Sequence, residues 1–183
     1  MSIVAANGLR ICGRFTLLGK LGEGGEGEVW RARDHEQGKE IALKILRPEI
    51  AQRADAREAL EREHEIASGL DHPLILKVGA PVQDGETIAL PMELASEGDL
   101  RRLCGVSYLE IVPVLLEVAH ALAYAHERGV VHRDLKASNV LFDARGHVRV
   151  ADFGTARAGL SPFTASPQQL RGEPPSVADD IYG

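Results

Sequence analysis

The sequence has few cysteines, no excess of basic charge and no long hydrophobic run. Its two cysteines, Cys12 and Cys104, lie far apart and form no Cys-x-x-Cys pair, which argues against a disulfide framework and a thiolate zinc site. Lys and Arg number 21 against 27 Asp and Glu, which gives a net charge of −6. This charge argues against a protein that binds nucleic acid mainly by neutralising its phosphates. No stretch approaches the roughly 18 apolar residues of a membrane helix. We therefore expect a cytoplasmic chain without a nucleic-acid partner or a membrane segment.

Length and composition indicate an ordinary globular chain. It has 183 residues, of which 44% are hydrophobic and 26% charged, enough for one domain, or for one domain and a fragment. In the first half, apolar runs at residues 15–18, 29–32 and 41–46 predict three strands, and two more strands are predicted at 74–82 and 87–94. Between them, the spacing of apolar residues predicts a helix over 51–70.

The second half is mostly helical by its pattern. Ser107 and Glu110 form a capping box before an apolar face that continues to about Arg128, and Pro113 predicts a kink or a later helix start. Two short apolar runs flank a hairpin turn at residues 143–146. Strands followed by helices predict an α+β fold.

A glycine-rich segment lies between the first two predicted strands. Gly22, Gly24 and Gly27 form G-x-G-x-x-G, a pattern that lets backbone amides approach phosphate oxygens. A dinucleotide site would need a helix at the third glycine, whereas a strand follows here. Lys44 lies on the next strand and Glu63 on the following helix. A carboxylate can keep such a lysine charged and aimed at phosphates.

Two further motifs follow in the second half. His132-Arg133-Asp134-Leu135-Lys136-Ala137-Ser138-Asn139 places a base, a cation and an amide in one loop, and Asp152-Phe153-Gly154 follows an apolar strand. With the glycine-rich loop and the strand lysine, these motifs occur in the order typical of one family. The chain resembles the eukaryotic-type (Hanks-type) protein kinases, and most closely their bacterial serine/threonine branch, from about residue 14 to the end.

The resemblance implies a two-lobed fold. The expected N-lobe is an antiparallel β-sheet with one helix, and the expected C-lobe is mainly helical and incomplete. The implied boundaries are an N-terminal extension at 1–13, an N-lobe with hinge at 14–95 and a partial C-lobe at 96–183. The last residues resemble the start of the family's central helix. In this resemblance Asp180 would anchor the catalytic loop, which is the segment from His132 to Asn139. A truncated C-lobe would expose apolar surface, so self-association is a further expectation.

The resemblance also implies an ATP-dependent protein serine/threonine kinase that uses Mg²⁺. In such a kinase, Asp134 would orient the hydroxyl group of the protein substrate and accept its proton. Lys136 would balance the charge on the transferred phosphoryl group. Asn139 and Asp152 would hold the metal. Lys44, held by Glu63, would contact the α- and β-phosphates. The implied ATP-binding residues are Gly22, Gly24, Gly27, Val29, Ala42, Lys44, Met92, Glu93, Ala95, Asp99 and Leu141.

Departures from the family pattern support an alternative. Residues 161–168 resemble the substrate-docking loop and its A-P-E ending, with Ser166 and Gln168 replacing Ala and Glu, and they lie so near Asp152-Phe153-Gly154 that the activation loop is largely missing. Arg133 would then lack the phosphorylated partner that this loop ordinarily supplies. Glu26, an acid at the tip of the glycine-rich loop, would weaken nucleotide binding. The alternative is a nucleotide-binding, pseudokinase-like module or inactive fragment that acts through partners.

A second alternative comes from another class of protein. Glu61-x-x-His64 and Glu117-x-x-His120 are two Glu-x-x-His pairs on predicted helices, as in di-iron bundles. Such a site needs four facing helices, whereas the first half of this chain has the pattern of strands.

Overall fold

The computed structural model describes residues 6–53, 55–153 and 165–182. The chain divides into two compact units. The first comprises Met1–His64 and Lys77–Leu94, and the second comprises Glu65–Leu76 and Ala95–Gly183.

The first unit is built on an antiparallel six-stranded sheet with the order β1-β2-β3-β4-β6-β5. Its strands are β1 (Arg10–Ile11), β2 (Phe15–Glu23), β3 (Gly27–Asp34), β4 (Lys39–Leu46), β5 (Val82–Asp84) and β6 (Thr87–Met92). The three predicted strands at the start of the chain and the strand at 87–94 are therefore confirmed, within a few residues at their ends.

The predicted strand over residues 74–82 is wrong. Only Val82 of that stretch belongs to a strand, while Ile75 and Val78 form isolated bridges. Pro81 has no N–H for a ladder, and the N–H of Gly79 donates to the carbonyl of Pro91 at 2.8 Å. The apolar residues of this stretch thus form isolated bridges and no regular strand before Val82.

One hydrophobic cluster of the first unit lies on one face of the sheet. Alternation along the strands turns a set of side chains to this face, and the buried members of the cluster are Ile11, Phe15, Leu17, Trp30, Ala32, Ile41, Leu43 and Ala89. Burial of apolar side chains of this size is the main stabilising contribution to such a unit.

The glycine-rich loop is the turn between β2 and β3. The two strands pair up to Glu23 and Glu28, and Gly27 pairs with Leu46 of β4. A Cβ atom on Gly27 would lie 2.1 Å from the carbonyl oxygen of Ile45. The third glycine is therefore required by the close approach of β4, in addition to any role near phosphates.

The helix predicted over residues 51–70 corresponds to one helix that begins later, at residue 56, after a separate one-turn helix. A one-turn helix, α1 (Pro48–Ala51), precedes α2 (Ala56–Ser68). Pro48 stands at the first position of α1, where its missing N–H costs nothing. The Asp55 carbonyl accepts the N–H of Ala59 at the start of α2, so the chain begins a new helix there.

The second unit is built around the helix α3 (Tyr108–His126), which begins at the side-chain cap of Ser107. Of the two expectations for Pro113, the later start is wrong, because α3 already includes Pro113, and the kink stays a prediction. A two-stranded sheet of β7 (Val140–Phe142) and β8 (Val148–Val150) flanks the predicted hairpin turn. Two short helices, α4 (Pro167–Leu170) and α5 (Val177–Tyr182), follow.

The inner face of α3 packs in the core of the second unit. Its buried residues are Val118, Ala121, Leu122 and Ala125, and they share a cluster with Leu70, Ile75, Phe142, Val148, Val150 and Phe153. Within the described residues, α3 is the one helix with the length and apolar composition to cross a membrane. It is an exception to the expectation that no stretch of the chain is long and apolar enough for a membrane helix. A helix that packs in a protein core can meet the same criterion.

Candidate active site

The first unit pairs Lys44 with two carboxylates. Lys44 lies in the middle of β4, and its Nζ atom is 3.4 Å from Oε2 of Glu63 on α2. The same Nζ atom is 2.9 Å from Oε2 of Glu26, at the tip of the glycine-rich loop. The lysine and Glu63 are both largely buried, so the structure brings together the two residues that the sequence paired, and it adds a second acid.

Most of the remaining nucleotide-binding residues predicted in this unit lie on neighbouring strands, whereas Gly24 lies in the turn between β2 and β3 and Glu93 directly follows β6. Gly22 pairs with Val29, and Val29 pairs in turn with Lys44. Ala42 pairs with Met92 at the end of β6. The N–H of Glu93 donates to the carbonyl of Lys77 at 2.8 Å, so the carbonyl of Glu93, and not its N–H, is the backbone group suited to adenine.

In the second unit, His132 organises the loop before Asp134. The ring is fully buried and packs on Phe153 with centroids 4.7 Å apart. Its Nδ1 accepts the N–H of Asp134 at 3.3 Å, so the ring proton lies on Nε2, which donates to the carbonyl of Ala151 at 2.8 Å. The imidazole thus links the catalytic loop to the segment that carries Asp152.

Asp134 lies beside two of its predicted partners. Oδ2 accepts from Nζ of Lys136 at 2.6 Å, and the Asp134 carbonyl accepts from Nδ2 of Asn139 at 3.0 Å. Within the described part of the chain, Oδ1 of Asp134 is buried and has no hydrogen-bond partner. A buried carboxylate oxygen without a donor is costly, and it is an acceptor suited to a hydroxyl proton.

The residues predicted to hold a metal offer oxygen donors. Asn139 is buried, and its bond through Nδ2 to the Asp134 carbonyl assigns the other end of the amide as oxygen. Its backbone carbonyl accepts the N–H of Ala151 at 2.8 Å, next to Asp152. Asp152 has a φ of 63°, a left-handed backbone conformation that is unusual for any residue other than glycine. An amide oxygen and a carboxylate are hard ligands of the kind Mg²⁺ prefers, so these residues fit that ion.

The remaining ATP-binding predictions fall in the second unit. Asp99 and Leu141 are neighbours, because they form an isolated antiparallel bridge. The Asp99 side chain caps a 3₁₀ turn and pairs with Arg101 at 2.6 Å, and hydrogen bonding to Arg101 holds the pKa of its carboxyl below the ordinary value. Asp99 is thus already engaged by a neighbour in sequence. Ala95 is the first residue of the segment that returns the chain to this unit.

Three polar residues near the end of the chain were not predicted from the sequence. Gln169 is buried, and its Nε2 donates to the carbonyl of Arg133 at 2.7 Å. Ser166 forms a reciprocal capping box with Gln169 and donates from Oγ to Asp179. The S/T-x-x-E/Q pattern of residues 166–169 was the available signal for the capping box, although nothing in it indicated the contact with the catalytic loop.

Two motif predictions concern the segment after Phe153. The predicted anchoring role of Asp180 is confirmed, because its carboxylate accepts the backbone N–H groups of His132 and Arg133. Gly154 and the activation loop, which the sequence predicts to be shortened, lie outside the described residues. Among the described residues, Nε of Arg133 is buried without a hydrogen-bond partner.

The alternative of a di-iron site gains no support. Glu61 pairs with Arg57 at 2.7 Å, and Oε2 of Glu117 accepts the N–H of Val148 at 3.3 Å. The described residues contain no cluster of three or more His, Cys, Asp or Glu side chains that could hold a metal ion.

Comparison with known proteins agrees with these motifs. The sequence matches the protein kinase domain family over residues 15–172, and the chain belongs to this family. It is 35% identical to the serine/threonine-protein kinase PkaA of Streptomyces coelicolor over 93% of this chain and 37% of that protein. It is 33% identical to the serine/threonine-protein kinase PknA of Mycobacterium tuberculosis over 96% of this chain and 46% of that protein.

Solved structures show the same fold. The crystal structure of the Mycobacterium tuberculosis PknI kinase domain is 28% identical to this chain and superposes with a TM-score of 0.78, covering 97% of this chain and 73% of that one. The described chain thus has the protein kinase fold with an antiparallel N-lobe sheet. It spans less than half the length of the two sequence relatives named above.

Proposed function

We propose that the chain is the catalytic part of an ATP-dependent protein serine/threonine kinase, which transfers the γ-phosphoryl group of ATP to a Ser or Thr hydroxyl of a protein. Family membership supports this proposal, and so does the set of charged residues in each unit. Phosphoryl transfer needs little covalent help from the enzyme and depends mostly on positioning and charge stabilisation.

One observation carries the proposal. In the Asp134 side chain, which is 15% exposed, Oδ2 accepts from Lys136, and the buried Oδ1 has no partner among the described residues. A substrate hydroxyl that donates to Oδ1 would be oriented by this bond, and Asp134 would accept its proton during transfer. Lys136, held 2.6 Å from the other oxygen, supplies positive charge beside the transferred group.

The first unit supplies the groups suited to the nucleotide. Lys44 would bind the α- and β-phosphates, while Glu63 keeps its ammonium group in place. Val29, Ala42 and Met92 lie on three neighbouring strands and would provide the apolar surface for adenine. The backbone of the glycine-rich loop would cover the phosphates.

Asn139 and Asp152 would hold Mg²⁺ through an amide oxygen and a carboxylate. When bound, Mg²⁺ neutralises part of the phosphate charge and orients the γ-phosphoryl group. The hydrogen bond from Nδ2 of Asn139 to the Asp134 carbonyl fixes the orientation of the amide that would bind the metal. The positive φ of Asp152 is backbone strain of the kind that persists where surrounding contacts hold a side chain in a functional position.

The decisive assay follows transfer of labelled γ-phosphate from ATP to casein, with acid hydrolysis to identify the phosphorylated amino acid. We expect phosphoserine or phosphothreonine in the presence of Mg²⁺, and no transfer by Lys44→Met. Phosphotyrosine alone would contradict the proposal. Nucleotide binding without any phosphoryl transfer would favour the pseudokinase-like alternative. Retention of the catalytic residues argues against that alternative; these residues are Lys44, Asp134, Asn139 and Asp152.

Location and partners are further parts of the proposal. The acidic net charge of −6 and the absence of a Cys-x-x-Cys pair support a cytoplasmic kinase that has protein substrates and no nucleic-acid partner. Exposed apolar residues on α3, with Leu109 and Leu116 among them, support self-association of the chain.

A further inference from the structure

The ammonium group of Lys44 is shared between two acids in the first unit. Its distance to Glu26 is 2.9 Å and its distance to Glu63 is 3.4 Å. The side chains of Lys44 and Glu63 are 12% and 5% exposed, while that of Glu26 is 34% exposed. The shorter ion pair is therefore formed with the more accessible acid, at the tip of the glycine-rich loop.

Backbone contacts determine where Glu26 lies. Its carbonyl accepts the N–H of Arg47 at 2.9 Å, and the N–H of Gly24 donates to the carbonyl of Gly27 at 2.9 Å. Gly27, the residue after Glu26, pairs with Leu46 of β4 and lies close to the Ile45 carbonyl. The loop tip is thus fixed near the strand that carries Lys44, and the carboxylate reaches the lysine from a defined position.

We infer that Glu26 is a specificity-determining residue of the nucleotide site. It competes with the nucleotide phosphates for Lys44, and it makes the site select the magnesium complex of the nucleotide over the free nucleotide. This inference rests on the proposed function, because it needs Lys44 to be the phosphate ligand.

Charge explains the selection. Phosphate oxygens that approach Lys44 must displace the Glu26 carboxylate, which then remains in the loop that covers them. Two anions that face each other in a partly buried site repel more strongly than they would in water. Free ATP carries more negative charge than its magnesium complex, so the penalty from Glu26 is larger for free ATP.

Glu23 provides a matched control in the same loop. Its carboxylate is 2.7 Å from Lys20 and 2.7 Å from Arg47, so two cations already neutralise it, and no phosphate ligand is among its partners. Replacement of either glutamate by glutamine removes one negative charge from the loop. Only the replacement at position 26 removes a carboxylate that competes for Lys44.

The test measures ATP affinity by calorimetry with Mg²⁺ and with EDTA, for the wild type and for Glu26→Gln and Glu23→Gln. We expect Glu26→Gln to bind free ATP about threefold to tenfold more tightly and the magnesium complex less than about twofold more tightly. Glu23→Gln should stay within about twofold of the wild type in both conditions. The effect of Glu26→Gln on free ATP should shrink at high ionic strength, because salt screens partly exposed charges.

The outcomes separate this inference from the function on which it rests. Equal dependence on Mg²⁺ in the wild type and Glu26→Gln would overturn the inference alone, and so would an equal effect of Glu23→Gln. If none of the three proteins bound ATP in either condition, the proposed nucleotide site would be overturned, and the role of Glu26 with it.

Discussion

The carboxylate of Asp180 accepts the backbone N–H of Arg133 at 2.6 Å, across 47 residues of sequence. Its other oxygen accepts the N–H of His132 at 2.8 Å and contacts Nε2 of His126 at 2.7 Å. Arg133 has φ of 68°, a left-handed conformation that is unfavourable for a residue with a Cβ atom. A buried, charged acceptor offsets this strain, so Asp180 holds the catalytic loop in the conformation that presents Asp134.

Replacement of this acceptor should destabilise the second unit. In Asp180→Asn the charged hydrogen bonds become neutral, and the amide N–H₂ faces backbone donors that no longer have an acceptor. We expect a loss of about 2–4 kcal/mol in the free energy of unfolding, measured by urea denaturation. Glu173→Gln, which changes an exposed acid paired with Arg171, should change it by less than about 0.5 kcal/mol. Equal effects of the two variants would contradict the anchoring role.

The glycine-rich loop allows a test of packing that is independent of nucleotide. In Gly27→Ala the new Cβ atom would lie 2.1 Å from the Ile45 carbonyl oxygen, so β3 and β4 would have to separate. We expect a loss of about 2–3 kcal/mol, measured by thermal unfolding. Gly22→Ala is the control, because a Cβ there meets no atom within 4 Å. A Gly27→Ala variant as stable as Gly22→Ala would contradict the close approach of the strands.

Acid should weaken the first unit through Asp34. The Arg14 guanidinium, which donates to both oxygens of this buried carboxylate, lowers its pKa to about 2 from 3.8. Since the pKa in the folded chain lies below that in the unfolded chain, this stabilisation is present above about pH 4 and is lost as the pH falls towards 2. It amounts to about 2 kcal/mol.

The measurement compares urea unfolding of the wild type and Asp34→Asn between pH 7 and pH 3. We expect the wild type to be more stable at pH 7 and the difference to shrink as the pH falls below about 4. Lys39→Gln changes an exposed residue of the same hairpin and serves as a control. The difference in stability between the wild type and this variant should not change as the pH falls. A difference between wild type and Asp34→Asn that stays constant down to pH 3 would show that the carboxylate is not held in its charged form by folding.

Sequence reasoning was most accurate where a motif is local. Gly27, Lys44 and the loop from His132 to Asn139 lie in short segments whose residue order carries the chemistry, and their elements were predicted within a few residues. The pair of Lys44 and Glu63 was also expected, because a buried lysine near phosphates needs a carboxylate.

Prediction failed where long-range contacts decide the structure. The apolar run from Leu74 to Val82 has the composition of a strand, but the carbonyl of Leu74 accepts the N–H of Val150, and only isolated bridges form before Val82. Gln169 gave no signal of its bond to the Arg133 carbonyl, because the two residues are 36 positions apart. Such contacts depend on how the chain packs and have no counterpart in a local pattern.

The exposed face of α3 should promote self-association. Tyr108, Leu109 and Leu116 are 71%, 68% and 56% exposed, and their spacing along the helix places Leu109 and Leu116 on one face. Sedimentation velocity should show a weight-average mass that rises with concentration, and Leu116→Lys should reduce the rise. Leu170→Lys, at an exposed leucine of α4, is the matched control. A monomer at every concentration up to about 100 μM would contradict this surface assignment.

The most direct test of the kinase assignment is the Asp134→Asn variant, in which nucleotide affinity and phosphoryl transfer are measured on the same preparation. Asparagine keeps the shape of the side chain but cannot accept the substrate proton, and Asp134 has no assigned contact with adenine. We expect transfer from ATP to a Ser/Thr substrate to fall by about a hundredfold or more, while the Kd for ATP with Mg²⁺ changes by less than about threefold. Transfer at the wild-type rate by this variant would contradict the assignment of Asp134, and with it the proposed mechanism.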